Sequence, residues 1–234
     1  MINLSQTNET EIQRYARELF KTYQQQDLTF ETLSQKLMHN VYDDFCNEQG
    51  QRIFILTRIF RLCKYLELPP EAHSEIDSSS GKFWLALCGT VGDEPAWNNR
   101  HQSQGHRIIP GGAFQTPMLK AVFEQMALEK TLQEGESGIK LEDYNIAERF
   151  FHVETAPGSP YIVAQEDFVN RYGVHSVIGI GSPFISGSFY FALFFARATI
   201  TRPQAELFAR ITPFISTLLA RQDAKNHLWE SLEN

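Results

Sequence analysis

Cysteine is scarce in this chain, and the little there is sits badly for cross-linking. Cys46, Cys63 and Cys88 are an odd set, widely spaced, with no CxxC pair, which argues against a disulfide framework and a closed cysteine-rich zinc site. Positive charge is short too. Lys and Arg number 21 against 28 Asp and Glu, a net charge of −7, so no global positive field exists to hold a phosphate backbone and nucleic acid is not expected as a partner. Long apolar runs are missing. The most apolar stretch, Phe189 to Ala196, is far too short to cross a bilayer as a helix, so no membrane partner is expected. Met1 to Glu11 lacks the basic start and apolar segment of a signal peptide. Repeats and low-complexity segments are absent as well. Together these absences imply a cytoplasmic protein.

What remains has the balance of an ordinary globular chain. Its 234 residues are 42% hydrophobic and 21% charged, enough apolar mass for one large domain with a sizeable core. Asn8 with Glu11 forms a capping pattern before a helical repeat of Ile12, Tyr15, Ala16, Leu19, Phe20 and Tyr23, which predicts an amphipathic helix to about Gln26. Thr29 caps a second helix with the apolar face Phe30, Leu33, Leu37, Val41, Tyr42 and Phe45. Arg52 to Lys64 reads as one long strand, apolar on both faces and interrupted by Arg58 and Arg61. Lys82 to Thr90 is a second strand, and Thr116-Pro117 starts a helix. Gln133 to Gly138 is a polar loop, and Glu148 to Thr155 a strand. Ala164 to Tyr172 is a short helix closed by Gly173. Val174 to Gly181 and Ser188 to Ala198 form a hairpin. From Thr201, with Gln204 three residues on, the spacing predicts a helix of about 30 residues, roughly 45 Å long, kinked near Ala209 by Pro213. Phe208, Ile211, Ile215 and Leu218, then Trp229 and Leu232, follow a/d spacing, the pattern of a dimer seam.

The chemistry gathers between the second strand and the Thr116 helix, from Gly92 to Pro110. Gly92, Pro95, Gly105 and Pro110 predict irregular backbone, with one helical turn near Pro95 to Asn98. This stretch carries Trp97, Asn98, Arg100, His101 and His106. Arg100 offers forked donors for a carboxylate or phosphate, Trp97 a flat face, Asn98 a donor and an acceptor, and the two histidines a charge that switches near neutral pH. The same groups could instead tie the loop to itself. His101, His106 and His152 are the alternative metal set, for zinc, iron or haem. Their spacing does not match a helical ligand pair, and His152 lies in a strand between Phe151 and Val153. Ser159 and Tyr161 in Gly158-Ser-Pro-Tyr161 either line a pocket with Gln165 nearby or make a turn.

Three places carry a resemblance: Gly92-Asp-Glu-Pro-Ala-Trp-Asn-Asn-Arg-His101; Gly105-His106 with Ile108, Ile109 and Pro110; and Phe151-His-Val with Gly158-Ser-Pro-Tyr161 and Tyr172-Gly173. With the order of elements, they resemble a GAF-like sensory domain of the type found N-terminal in bacterial sensor histidine kinases and related signalling proteins, over about Thr29 to Arg221. The resemblance implies an α+β fold with a central antiparallel sheet of about six strands, helices on one face and a pocket for a small anionic or aromatic ligand on the other. It divides the chain into an N-terminal helix (1–28), a GAF-like domain (29–200) and a signalling or dimerisation helix (201–234). The candidate ligand residues are then Trp97, Asn98, Arg100, His101, His106, His152, Ser159 and Tyr161, with no cofactor required. A homodimer and an output partner such as a histidine kinase are implied. No kinase hallmarks follow Asn234, so that output would lie elsewhere. Two alternatives remain: a dimerisation module with no ligand, and a GAF-fold reductase using a thiol such as Cys88, near His101 or His106.

Overall fold

The structure, a computed structural model, describes residues 1–103, 106–129 and 149–230. The expected polar loop at 133–138, Gly105 and Leu232 fall outside the described residues.

The amphipathic start of the chain folds as α1 (Glu9–Tyr23), with Asn8 and Glu11 exchanging the two bonds of a capping box. Thr29 caps α2 (Phe30–Asp44) by accepting from the Thr32 amide. Residues Ile2–Asn3 (β1) and Phe45–Cys46 (β2) make a minimal parallel pair. The main sheet has six strands: β3 (Phe54–Cys63), β4 (Trp84–Gly92), β5 (Ile108–Pro110), β6 (Phe150–Val153), β7 (Ser176–Pro183) and β8 (Phe189–Ala196). Their order is β5-β4-β3-β8-β7-β6, every neighbouring pair antiparallel. The fold is therefore α+β around one antiparallel sheet.

Strand side chains alternate between faces, so the sheet feeds two cores. On one face Ile59, Cys88, Phe150, Ile178, Tyr190 and Phe194 pack under α1 and α2, with α4 (Arg202–Ala209) and α5 (Thr212–Ala224) completing the layer. α2 approaches closely enough that a Cβ on Gly89 would lie 2.8 Å from the backbone of Ser34 and Gln35. On the other face Leu56, Phe60, Phe191, Leu193 and Phe195 pack against α3 (Pro117–Gln125) and two loops.

Several expectations need correction. The single long C-terminal helix is two helices, α4 and α5, with Arg210 and Ile211 between them. Phe208, Ile211, Ile215 and Leu218 do share a stripe, but it is buried against this chain's own sheet. After Lys225 the chain leaves the helix and crosses the start of α2. There the His227 and Leu228 carbonyls accept from the amides of Phe30 and Glu31 at 2.8 and 2.9 Å, satisfying helix N-terminal donors that have no intrahelical partner. The expected helix at Ala164 to Tyr172 is a wider π-type turn over Gln165–Asn170, and Gly173 closes it at φ 67°. The stretch expected to be irregular to Pro110 yields β5 at its end. Among the described residues no helix is long and apolar enough to cross a membrane.

Candidate functional site

The face of the sheet away from α1 and α2 carries a half-open cavity of about 450 Å³, within the range of small-molecule sites. Its floor is Leu56, Arg58 and Phe60 of β3 and Phe191, Leu193 and Phe195 of β8. The loop after β4 supplies Trp97 and His106, and the segment after β6 supplies Tyr161 to Ala164 and Phe168. Trp97 is fixed edge-on to Tyr172, centroids 4.6 Å apart, and to Phe168 at 6.0 Å. Phe168 in turn meets Phe195 at 5.0 Å, so one wall is a chain of interlocked rings. A second hollow lies between Gly81 to Phe83 and the turn at Gly111 to Gln115, with Glu129 on its wall.

Arg58 is the charged group of this apolar chamber. On β3 the alternation 56, 58, 60 aims it at the cavity, while Arg61 goes through to the helix-covered face. Its Nη2 donates to Ser103 Oγ at 3.2 Å, its Nε is buried without a partner, and no carboxylate among the described residues pairs with it. The contrast with the two fully buried arginines, Arg61 and Arg100, is plain. Arg61 is held by Asp223 at 2.6 Å and Glu67 at 2.9 Å, and Arg100 by Glu31 and by Glu71 at 2.7 Å. Burial pulls all three guanidinium groups toward neutrality. At Arg61 the neighbouring Cys63, Asp223 and Glu67 reverse the direction, and at Arg100 Glu31 and Glu71 do. Arg58 has no such neighbour and falls to about 10, so it remains a cation at neutral pH.

The eight sequence candidates do not form one cluster. Trp97, His106 and Tyr161 line the cavity. His106 sits at the rim with φ 59°, and burial, with Arg58 beside it, lowers its pKa. Asn98 ties the loop to its strand: its Nδ2 donates to the Gly92 and Glu94 carbonyls, both at 3.0 Å. Arg100 is buried in the acidic clamp described above, its guanidinium 5.1 Å from the Trp229 ring. His101 lies 3.6 Å from both clamp carboxylates. His152 is on the opposite face, where its Nε2–H donates to the Ile200 carbonyl at 2.7 Å. Ser159 accepts from the Tyr161 amide at 3.3 Å. Among the described residues no three His, Cys, Asp or Glu side chains gather as a metal would require.

The cysteines are buried and free. Cys88 belongs to the helix-covered core, away from the cavity. Burial pushes its thiol well above the ordinary value and raises Cys63 to about 11. Catalytic thiols need the opposite shift.

Sequence reasoning singled out Arg100 and passed over Arg58, which it saw as an interruption of a strand. The signal was present in the spacing. In a strand of period two, arginines three residues apart face opposite sides, so they cannot share one environment.

No family profile and no curated protein sequence matches the chain. Solved structures do match. The GAF domain of a phosphoenolpyruvate-protein phosphotransferase from Coxiella burnetii superposes with a TM-score of 0.52 at 11% identity, covering 95% of this chain and 100% of that one. The phycocyanobilin-bound GAF domain of a cyanobacterial phytochrome gives 0.50 at 11% identity, covering 94% and 98%. Free methionine-R-sulfoxide reductase from Neisseria meningitidis, in complex with its substrate, gives 0.50 at 9%, covering 92% and 93%. The fold is that of GAF domains.

Proposed function

We propose that the chain is a GAF-like sensory domain that binds a small organic molecule in the cavity over β3 and β8. The observation that carries this reading is Arg58, a half-buried cation whose Nε is buried without a partner and which meets no carboxylate among the described residues, in a chamber walled mostly by apolar and aromatic side chains. A buried donor without a partner costs stability, and an acceptor bound in the cavity would offset that cost. Two fold neighbours are bound to small molecules, phycocyanobilin and the reductase's substrate, which is consistent with this use of the fold. Trp97, His106 and Tyr161 are the sequence candidates assigned to ligand contact.

The reading includes a route for the signal. Within one loop, Trp97 faces the cavity, Ser103 holds Arg58, and Arg100 between them is clamped to Glu31 and beside Trp229. Glu31 Oε2 also accepts from the Glu230 amide at 3.1 Å. A ligand that moves Trp97 or Ser103 would thus pull on the junction of α2 and the C-terminal tail. An output partner such as a histidine kinase would read the change there. The thiol-reductase alternative gains no support from buried cysteines on the far face, and the dimer alternative none from an apolar stripe that packs inward.

The test is a ligand-observed NMR screen of charged and neutral fragments against the wild type and Ala113→Trp, a substitution that fills the cavity. Binding lost in the filled variant, with its fold retained, is the expected result. No binder, or binders indifferent to the filling, would overturn the reading.

A further inference from the structure

We infer that the cavity takes a monocarboxylic acid with an apolar, preferably aromatic, body, and that Arg58 binds its carboxylate. This inference rests on the ligand-binding reading and adds the charge and shape of what is bound.

The charge follows from a census of the walls. Among the described residues that line it, Arg58, His106 and Tyr161 are able to ionise and none is Asp or Glu. Burial and the neighbouring Arg58 lower the pKa of His106, which favours its uncharged form. The chamber therefore presents one positive charge. One negative charge neutralises it, whereas a phosphate dianion would leave an uncompensated charge against a mostly apolar wall, at a desolvation cost. A neutral ligand would leave the cation as it stands.

The shape follows from the donors. Nη2 of Arg58 is engaged by Ser103, Nε has no partner, and Nη1 makes no bond within the described residues. A planar fork with unused donors suits a planar carboxylate. Beside it on the floor are Leu193, its cross-strand partner, and Phe191, and with the ring wall of Trp97 and Phe168 they supply apolar surface on which ring-to-ring contact favours an aromatic body. Ser103 is itself buried, so Arg58 is held in place before any ligand arrives.

The experiment uses four phenylalkyl probes on the full chain: 3-phenylpropanoate, its isosteric amide, 3-phenylpropylamine, and phenethyl phosphate at pH 8, where the phosphate is a dianion. Affinities are measured by calorimetry for the wild type, Arg58→Met and Arg58→Lys, with folding of each checked by urea denaturation. The expected result is that the acid binds at least tenfold more tightly than the amide and the phosphate, and that the amine does not bind. Arg58→Met should abolish the preference for acid over amide, and Arg58→Lys should keep part of it. Equal binding of acid and amide, stronger binding of the phosphate, or a preference that survives in Arg58→Met would each overturn the inference. If the amide alone binds and Ala113→Trp blocks it, the inference fails while the cavity remains a ligand site. If no probe binds, the inference fails, while the ligand-binding reading is decided by the fragment screen with Ala113→Trp.

Discussion

Arg58 and Arg61 stand three residues apart on β3 and point through opposite faces of the sheet, one into an apolar cavity, the other onto two carboxylates. They are the same residue type on the same strand, yet their surroundings differ by two negative charges. This difference makes the first prediction. Arg61→Met leaves Asp223, which is 6% exposed, without its cation, and should lose about 3–5 kcal/mol of stability. Arg58→Met removes a charge that no carboxylate among the described residues compensates and should leave stability unchanged or raise it by about 1 kcal/mol. Urea denaturation of the two variants decides it. A loss at Arg58→Met matching that at Arg61→Met would mean that Arg58 has a structural partner after all.

Gly92 is needed for space. A Cβ there would lie 2.7 Å from the Trp97 ring and 2.8 Å from the Ile55 carbonyl. Gly92→Ala must therefore displace Trp97, the ring that walls the cavity. It should cost about 1–3 kcal/mol, the usual range for overpacking, and shift the tryptophan emission. Unchanged emission and stability would contradict the packing described.

Two histidines set an acid-side trend. Burial lowers the pKa of His152, despite its bond to Ile200, and of His106. Between the unfolded value, about 6.5, and the lowered folded value, the unfolded chain binds more protons, so stability rises with pH in that window. Above it both states are neutral and the contribution is flat. Stability should thus fall as pH drops below about 6.5, and His152→Gln should flatten part of that fall. A slope identical in the variant would contradict this.

The thiols should be inert. Cys63 and Cys88 are buried with raised pKa values, so a thiol reagent at pH 8 should modify them only as fast as the protein opens. Rapid modification of Cys88 in the folded protein would revive thiol chemistry.

Much of the architecture was legible because local signals and tertiary packing agree. Asn8 with Glu11 and Thr29 each mark a helix start by donor satisfaction within a few residues, and the hairpin of β7 and β8 is bounded by its turn. The C-terminal helix was less legible, since Phe208, Ile211, Ile215 and Leu218 have the same spacing whether they face a partner or their own sheet. The loop divided in the same way. Trp97 and Arg100 are three residues apart in a polar run, and nothing local tells that one faces the cavity and the other the Glu31–Glu71 clamp. Those carboxylates come from α2 and from the segment after β3, so only the folded chain brings them together.

The most direct test follows the Nε–H resonances of Arg58, Arg61 and Arg100 in a nitrogen–proton NMR spectrum as 3-phenylpropanoate is added. Arg61 and Arg100 serve as internal controls, because their Nε–H groups already bond Asp223 and Glu31. If the cavity is the site, the Arg58 signal moves strongly and saturably while the other two stay in place. Saturable binding that leaves Arg58 unmoved, or that shifts Arg100 instead, would contradict it.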